Sequence, residues 1–118
     1  METIEQLLIE SDAVAERFWF VRQWQVIERT DHTVTVHFEI GAGLIVQAFL
    51  SQRSGRLSLA LIGPSGRLFG RDRERGLWHR HPFGSQDVHE ITPQGMSSQP
   101  VMQFMTEVED ILLSNDLL

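Results

Sequence analysis

The chain has 118 residues, which is the size of one ordinary domain. Its hydrophobic content of 42% and charged content of 22% are typical of folded soluble proteins and argue against disorder. There is no cysteine, which excludes disulfides, zinc ribbons and thiol catalysis and favours a cytoplasmic protein. The net charge of −6 argues against general binding to nucleic acid or to anionic membranes.

The basic residues are unevenly distributed along the chain. All ten are arginine, and seven of them fall between Arg53 and Arg80, where Asp72 and Glu74 are the only acids, giving this stretch a net charge of +5. The remainder carries −11. Two interpretations are open: a solvated hairpin face, or a patch that contacts anions, since the guanidinium group makes bidentate contacts with phosphate and carboxylate.

A short helix is predicted near the start of the chain. Thr3 and Gln6 have the spacing of a capping box, and the apolar residues that follow recur at helical spacing. We expect this helix to run from about residue 3 to residue 10 and to end at Ser11 and Asp12.

About five strands are predicted next. Aromatic and β-branched residues favour a strand from Arg17 to Glu28. Phe18, Phe20, Trp24 and Val26 share one face of this strand, and Arg22 interrupts that face, which indicates a bulge or packing on both sides. The clearest alternation of apolar and polar residues follows, from Thr33 to Ile40. Three further strands are predicted over residues 44–50, 57–61 and 67–69.

The chain ends in an amphipathic helix. Ser97 or Ser98 is predicted as its N-cap, with Pro100 in its first turn. Together these elements predict one α+β domain over residues 1–118. Its sheet would be an antiparallel meander of about five strands, with an N-terminal and a C-terminal helix packed on one face.

Three of the five histidines lie within an eleven-residue part of a segment that has no periodicity, residues 70–95. An irregular segment of that length in a compact domain is usually functional or disordered. His79 and His81 are two residues apart, so extended backbone places both rings on one side. His89 would return to them across a turn at residues 82–86.

One interpretation of this segment is acid–base cleavage of an RNA phosphodiester, which needs neither a metal nor a cofactor. His79 and His81 would be the acid and the base, and Asp72 would orient one of them. The predicted site comprises two sets: catalytic His79, His81, His89 and Asp72, and substrate-binding Arg71, Arg80 and Trp78.

Two other interpretations are open. The three histidines, together with Asp72 or Asp87, supply nitrogen and oxygen donors suitable for a metal ion. Alternatively the segment is structural: Trp78 and Phe83 anchor it over the sheet, and the histidines hydrogen-bond to its backbone.

The order of motifs from about residue 17 to residue 113 resembles the TumE-type family of small toxin–antitoxin proteins, as a divergent member. The matching features are Gly66-Arg67-Leu68-Phe69-Gly70-Arg71-Asp72, His79-Arg80-His81-Pro82, His89 and a closing acidic helix with Glu107, Val108 and Ile111. This resemblance implies a toxin-like protein encoded beside an antitoxin.

The sequence therefore predicts a toxin-like component of a toxin–antitoxin system, acting as a metal-independent ribonuclease. The expected partners are a cognate antitoxin, RNA contacted through a local Arg/His patch, and a second copy of the chain. The alternative is a non-catalytic interaction module that binds an acidic protein partner through the same Arg/His surface. Loss of binding at high salt, without turnover, would favour that alternative.

Overall fold

The computed structural model describes residues 2–85 and 87–118, and it confirms the α+β class. In the described residues, one helix, α1 (Ile4–Arg17), precedes the strands in the chain, and another, α2 (Pro100–Ser114), follows them. Within the described residues the strands are β1 (Gln23–Arg29), β2 (Thr33–Gly41), β3 (Leu44–Ser51), β4 (Arg56–Gly63), β5 (Gly66–Glu74), β6 (Leu77–His81) and β7 (Glu90–Ile91). They form one antiparallel sheet in chain order, so the sheet has seven strands rather than about five.

The additional strands come from the segment that showed no periodicity. β5 continues to Glu74 instead of ending at residue 69, and a two-residue turn at Arg75 and Gly76 leads into β6. Both turn residues have positive φ, 51° and 77°, as the tight turns favoured by hairpins require. Charged side chains on both faces hid the alternation that marks a strand.

The helices cover one face of the sheet, which we call the helix face. Val36, Ala48 and Leu59 lie side by side on β2, β3 and β4 and are fully buried there. On β5, Phe69 stacks on Phe104 of α2 with ring centroids 5.2 Å apart. The opposite face, which we call the open face, has no helix on it within the described residues.

Helix α1 is longer than predicted. Ser11 does not end it, because the Ser11 hydroxyl donates to the Leu7 carbonyl and the side chain is buried. The predicted capping box at Thr3 and Gln6 is present. Within the described residues, neither helix is long and apolar enough to cross a membrane.

The aromatic run after α1 is only partly a strand. Phe18 and Phe20 are buried in the connection before β1, with ring centroids 5.6 Å apart, and β1 itself begins at residue 23. Val26 is on the helix face but is 41% exposed. The prediction that Phe18, Phe20, Trp24 and Val26 form one strand face is therefore wrong.

Helix α2 begins differently from the prediction. Gln99, rather than Ser97 or Ser98, is at the N-cap position, and its side chain makes no capping hydrogen bond. The Ser97 hydroxyl instead accepts from the Gln99 amide in the turn before the helix. Pro100 is in the first turn, as predicted.

Candidate active site

The alternation of β5 and β6 divides the predicted site between the two faces of the sheet. Asp72 lies directly opposite His79, and both side chains are on the open face. Arg71 lies opposite Arg80 on the helix face. Successive side chains of a strand point to opposite faces, so the predicted acids and bases are separated from the predicted arginines.

The three histidines of this region do come together. The connection from β6 to β7 turns back so that the His89 ring lies over the open face. The ring centroid of His89 is 4.2 Å from that of His81 and 6.5 Å from that of His79. Gln86, at the end of the turn predicted to bring His89 back, lies outside the described residues. We call these three side chains the histidine cluster.

His81 is the buried member of the cluster, with 2% of its surface exposed. Its Nε2 is 3.1 Å from Asp72 Oδ2, and its Nδ1 is 3.2 Å from Arg67 Nη2. A guanidinium group only donates, so Nδ1 accepts from Arg67, and the hydrogen on Nε2 is donated to the Asp72 carboxylate. Asp72 is held in turn by the Ser58 hydroxyl, which donates to Oδ1 over 2.6 Å.

Small residues make room for this arrangement. Gly70 lies opposite His81 on one side and Ala60 on the other. A Cβ at Gly70 would come within 3.3 Å of both Arg67 Cδ and the Leu59 carbonyl oxygen. The Arg67 side chain therefore crosses the strand over the glycine to reach His81, and a larger residue there would displace it.

His79 and His89 differ from His81 in their contacts. No hydrogen bond to either ring is present within residues 2–85 and 87–118, and His89 is exposed. Both rings face a cavity of about 280 Å³. The cavity is lined by Arg56, Arg67, Asp72, Glu74, His79, His81 and His89. Two unengaged imidazoles beside two arginines are suited to proton transfer at an anionic substrate.

The two arginines of the cavity, Arg56 and Arg67, were not among the predicted site residues. Arg56 of β4 pairs with Ser51 of β3. Arg67 of β5 pairs with Ile62 of β4, after a shift in register. The alternation of side chains in β4 places Arg56 on the same face as Ser58, so the position of Arg56 could have been predicted from the sequence. The position of Arg67 depends on the shift in register at Leu61 and Ile62, which the sequence does not reveal.

The predicted substrate-binding residues contact other parts of the protein. Arg71 is 8% exposed and makes a bidentate ion pair with Glu107 of α2, with Nε 3.0 Å from Oε1. Arg80 binds the Glu90 carboxylate over 3.0 and 3.2 Å. The structure therefore does not bring Arg71 or Arg80 to the histidine cluster.

Trp78 also lies away from the histidine cluster. It is buried on the helix face, where the Arg73 guanidinium lies 5.5 Å from its ring centre. Phe83, the other predicted anchor, is 37% exposed in the turn after β6. Of the two aromatic residues, only Trp78 is buried as the structural interpretation expects.

Metal binding has no geometric basis in the described residues. In residues 2–85 and 87–118, no three His, Asp or Glu side chains are arranged to hold a metal ion. Asp87, one of the two predicted carboxylate ligands, is exposed beyond the turn after β6. The remaining histidines are elsewhere: His37 Nε2 is 2.8 Å from Gln47 Oε1, and His32 Nε2 is 2.9 Å from Arg53 Nη2.

Comparisons with known proteins identify no relative. No family model, no curated protein and no solved structure matches the chain. Membership of the TumE-type family stays a prediction from the order of motifs. The functional conclusion therefore depends on the geometry of this chain's own residues.

Proposed function

We propose that the protein is a toxin-like ribonuclease that uses His79 and His89 as an acid–base pair and needs no metal ion. The observation that supports this most is the placement on one cavity of two imidazoles that make no hydrogen bond to the part of the chain that the structure describes, with ring centroids 6.5 Å apart. A phosphate group between them would be within hydrogen-bond reach of both rings.

The proposed reaction is transfer of a phosphoryl group within the RNA. One histidine removes the proton of a ribose 2′-hydroxyl, whose oxygen then attacks the adjacent phosphorus. The bond from phosphorus to the 5′ oxygen of the next nucleotide breaks, and the other histidine gives that oxygen a proton. The products are a 2′,3′-cyclic phosphate and a free 5′-hydroxyl, so atoms and protons balance.

His81 and Asp72 have a positioning role in this proposal. Both ring nitrogens of His81 are engaged, by Asp72 and by Arg67, so neither is available for proton transfer. The ring instead packs edge-on against His89 with centroids 4.2 Å apart and fixes where His89 lies. This assignment differs from the sequence prediction, in which His79 and His81 were the acid and the base.

Arg56 and Arg67 provide the positive charge. Negative charge accumulates on the phosphoryl oxygens as the reaction proceeds, and preorganised cations beside them stabilise it. Both side chains line the cavity, and Arg67 is oriented by its contact with His81. They replace Arg71 and Arg80 in this role.

The toxin part of the proposal concerns the partner. The open face carries an Arg/His surface on a molecule that is otherwise strongly acidic. A cognate antitoxin that covered the cavity with an acidic segment would neutralise this charge and block access of RNA. Charge complementarity of this kind favours a specific partner over general acidic proteins.

The test compares single histidine variants at matched soluble levels. Induced wild type should arrest growth and release RNA fragments with cyclic phosphate ends. His79→Asn and His89→Asn should each lower the cleavage rate by about 100-fold or more, as expected for loss of a general acid or base. His37→Asn is the matched control, because His37 is on the same face but four strands away, about 19 Å at the usual strand spacing.

Two outcomes would overturn the proposal. Equal cleavage by wild type and by both variants would show that the activity belongs to a contaminant or to another site. Salt-sensitive binding of an acidic protein, with no cleavage and no growth arrest, would instead support the interaction module. In that case Arg56→Ala and Arg67→Ala should weaken the binding, while the histidine variants should not.

A further inference from the structure

A second cavity adjoins the histidine cluster on the open face. It has a volume of about 540 Å³ and is lined by Ser54, Arg56, Glu74, Arg75, Leu77 and His79. Arg56, Glu74 and His79 line both cavities, so the two are continuous at these side chains. His79 therefore stands between a cavity that holds the other histidines and one that holds none. We call the latter the turn cavity, because the β3–β4 and β5–β6 turns enclose it.

The lining of the turn cavity combines an apolar surface with polar groups. Leu77 is 42% exposed, so its side chain presents apolar surface to the cavity. Arg56 and Arg75 contribute planar cations, and Glu74 contributes a carboxylate held 3.7 Å from Arg56 Nε. The volume is within the usual range of ligand sites, roughly 300–1,000 Å³.

We propose that the turn cavity binds the base of the nucleotide next to the cleaved bond, so that the substrate is single-stranded RNA read at one base. This inference rests on the proposed function, because His79 must act on the phosphate that joins the two cavities. Leu77 and the guanidinium planes of Arg56 and Arg75 provide surfaces on which a base stacks. A base paired in a duplex cannot leave its stack to reach them without first being unpaired.

Glu74 determines which base is preferred. A carboxylate only accepts hydrogen bonds, so it selects a base edge that presents donors. Guanine presents two adjacent donors, N1–H and the 2-amino group, which match the two oxygens of one carboxylate. Uracil presents a single N–H between two carbonyl oxygens, which the carboxylate repels. The turn cavity should therefore favour guanine.

The experiment measures kcat/KM for single-stranded oligoribonucleotides that are identical except for one base beside the cleaved bond. Wild type should cleave the guanine substrate about tenfold faster than the uracil substrate. Glu74→Gln should remove most of this preference, because the amide presents a donor where the base needs an acceptor. Leu77→Ala should lower kcat/KM for every base by about tenfold, through loss of stacking.

Two control variants lie on the helices. Glu16→Gln changes an exposed glutamate of α1, and Leu113→Ala changes a leucine of α2 that is 60% exposed. Neither side chain lines the turn cavity. Both should cleave the four substrates at wild-type rates. If Leu77→Ala loses its fold, Leu77→Gln replaces it, since that variant keeps the side-chain volume and removes the apolar surface.

The outcomes separate this inference from the proposed function. Histidine-dependent cleavage with equal rates for all bases, unchanged in the Glu74 and Leu77 variants, would overturn the inference and leave the ribonuclease in place. If wild type does not cleave RNA, or cleaves it no faster than the His79→Asn and His89→Asn variants, both the inference and the proposed function are overturned. If Leu77→Ala changes the base preference and Glu74→Gln does not, the assignment of guanine as the preferred base is overturned.

Discussion

Arg71 is a buried cation whose charge is balanced by one carboxylate, that of Glu107. The ion pair joins the fifth strand to the last helix in a place where apolar residues would be usual. Removing one member of a buried pair leaves the other charge without its partner, and this is more destabilising than replacing both. The clustering of arginines in the sequence therefore has two causes, a structural one on the helix face and a proposed functional one on the open face.

This division gives a first prediction. Arg71→Met should lower the free energy of unfolding by about 2–4 kcal/mol, and the double variant Arg71→Met, Glu107→Leu should recover most of that loss. Denaturant titration measures both values. Arg29→Met breaks the exposed Arg29–Glu5 pair and should lower stability by less than about 1 kcal/mol. A folded Arg71→Met protein that lost RNA cleavage would contradict the structural role.

Glu2 is an acid whose surroundings favour its neutral form. The pKa of Glu2 is raised from 4.5 to about 8, chiefly by burial and in addition by the hydrogen bond and the charge of Glu10, against the opposing effect of Arg73. The folded protein therefore keeps a proton on Glu2 that the unfolded chain releases above its ordinary pKa. The contribution of this proton to stability is fully present below pH 4.5 and is lost as the pH rises towards 8.

The second prediction concerns this pH window. The free energy of unfolding of wild type should fall by about 1–2 kcal/mol between about pH 5 and pH 8, after allowing for the partial exposure of Glu2. Glu2→Gln keeps the neutral form and should flatten the profile. Glu16→Gln, on the exposed face of α1, should leave the profile of wild type unchanged. A steep profile in Glu2→Gln would show that another group is responsible.

At the scale of elements, the start of α2 depends on α1. Gln99 supplies no side-chain cap, but Glu10 of α1 accepts from the Met102 backbone amide over 2.9 Å. Met102 is the third residue of the helix, so this contact satisfies an amide that has no partner within the helix. The carboxylate also lies at the positive end of the helix dipole.

A third prediction follows from this contact. Glu10→Ala should lower the free energy of unfolding by about 1–2 kcal/mol. The measurement belongs near pH 6, where Glu2 keeps its proton in the folded state. Glu10→Gln retains an acceptor, so its free energy of unfolding should fall by less. Thr3→Ala removes the cap of α1 and serves as the comparison, with an expected decrease of about 1 kcal/mol in the free energy of unfolding. Equal stability of Glu10→Ala and wild type would contradict the capping role.

Elements were predictable where one face is apolar and the other polar. Thr33 to Ile40 alternates cleanly because β2 is buried on the helix face only. The second half of β5, and with it the pairing strand β6, was not predicted, because Arg71 and Arg73 occupy helix-face positions where apolar residues are expected. Their partners, Glu107 and the Gly55 carbonyl, are far away in the sequence, so no local pattern reveals them.

The candidate site was predictable in its residue types and less so in its geometry. The spacing of His79 and His81 placed both on one face, and the same alternation required Arg80 to be on the other. The position of His89 depends on the conformation of the turn between β6 and β7, which no periodicity encodes. The engagement of His81 by Arg67 depends on a shift in register, which is equally invisible in the sequence.

At the scale of the whole molecule, charge limits how RNA can bind. The chain has a net charge of −6, while the two cavities carry Arg56, Arg67 and Arg75. An acidic body repels the phosphate backbone everywhere except near these arginines. We therefore expect contacts with a few adjacent phosphates rather than an extended basic surface.

The fourth prediction is a shallow dependence of binding on salt. For the inactive His79→Asn variant and a single-stranded RNA, the slope of log K against log salt should be about −1.4, from the two phosphate contacts of Arg56 and Arg67. Arg56→Ala should make the slope shallower by about 0.7, whereas Arg29→Ala, on the far side of the sheet, should not change it. A slope several times steeper would mean that RNA follows a longer basic path.

The hydrogen bond between Glu10 and Met102 joins residues 92 positions apart, whereas every pair of neighbouring strands is also consecutive in the chain. Closing short hairpin loops loses little chain entropy, and bringing the two ends together loses more. The sheet should therefore form early in folding, and the helices should dock on it late. Contacts made after the folding barrier slow unfolding without speeding folding. The lifetime of the folded chain is then set by how firmly its first and last helices hold each other.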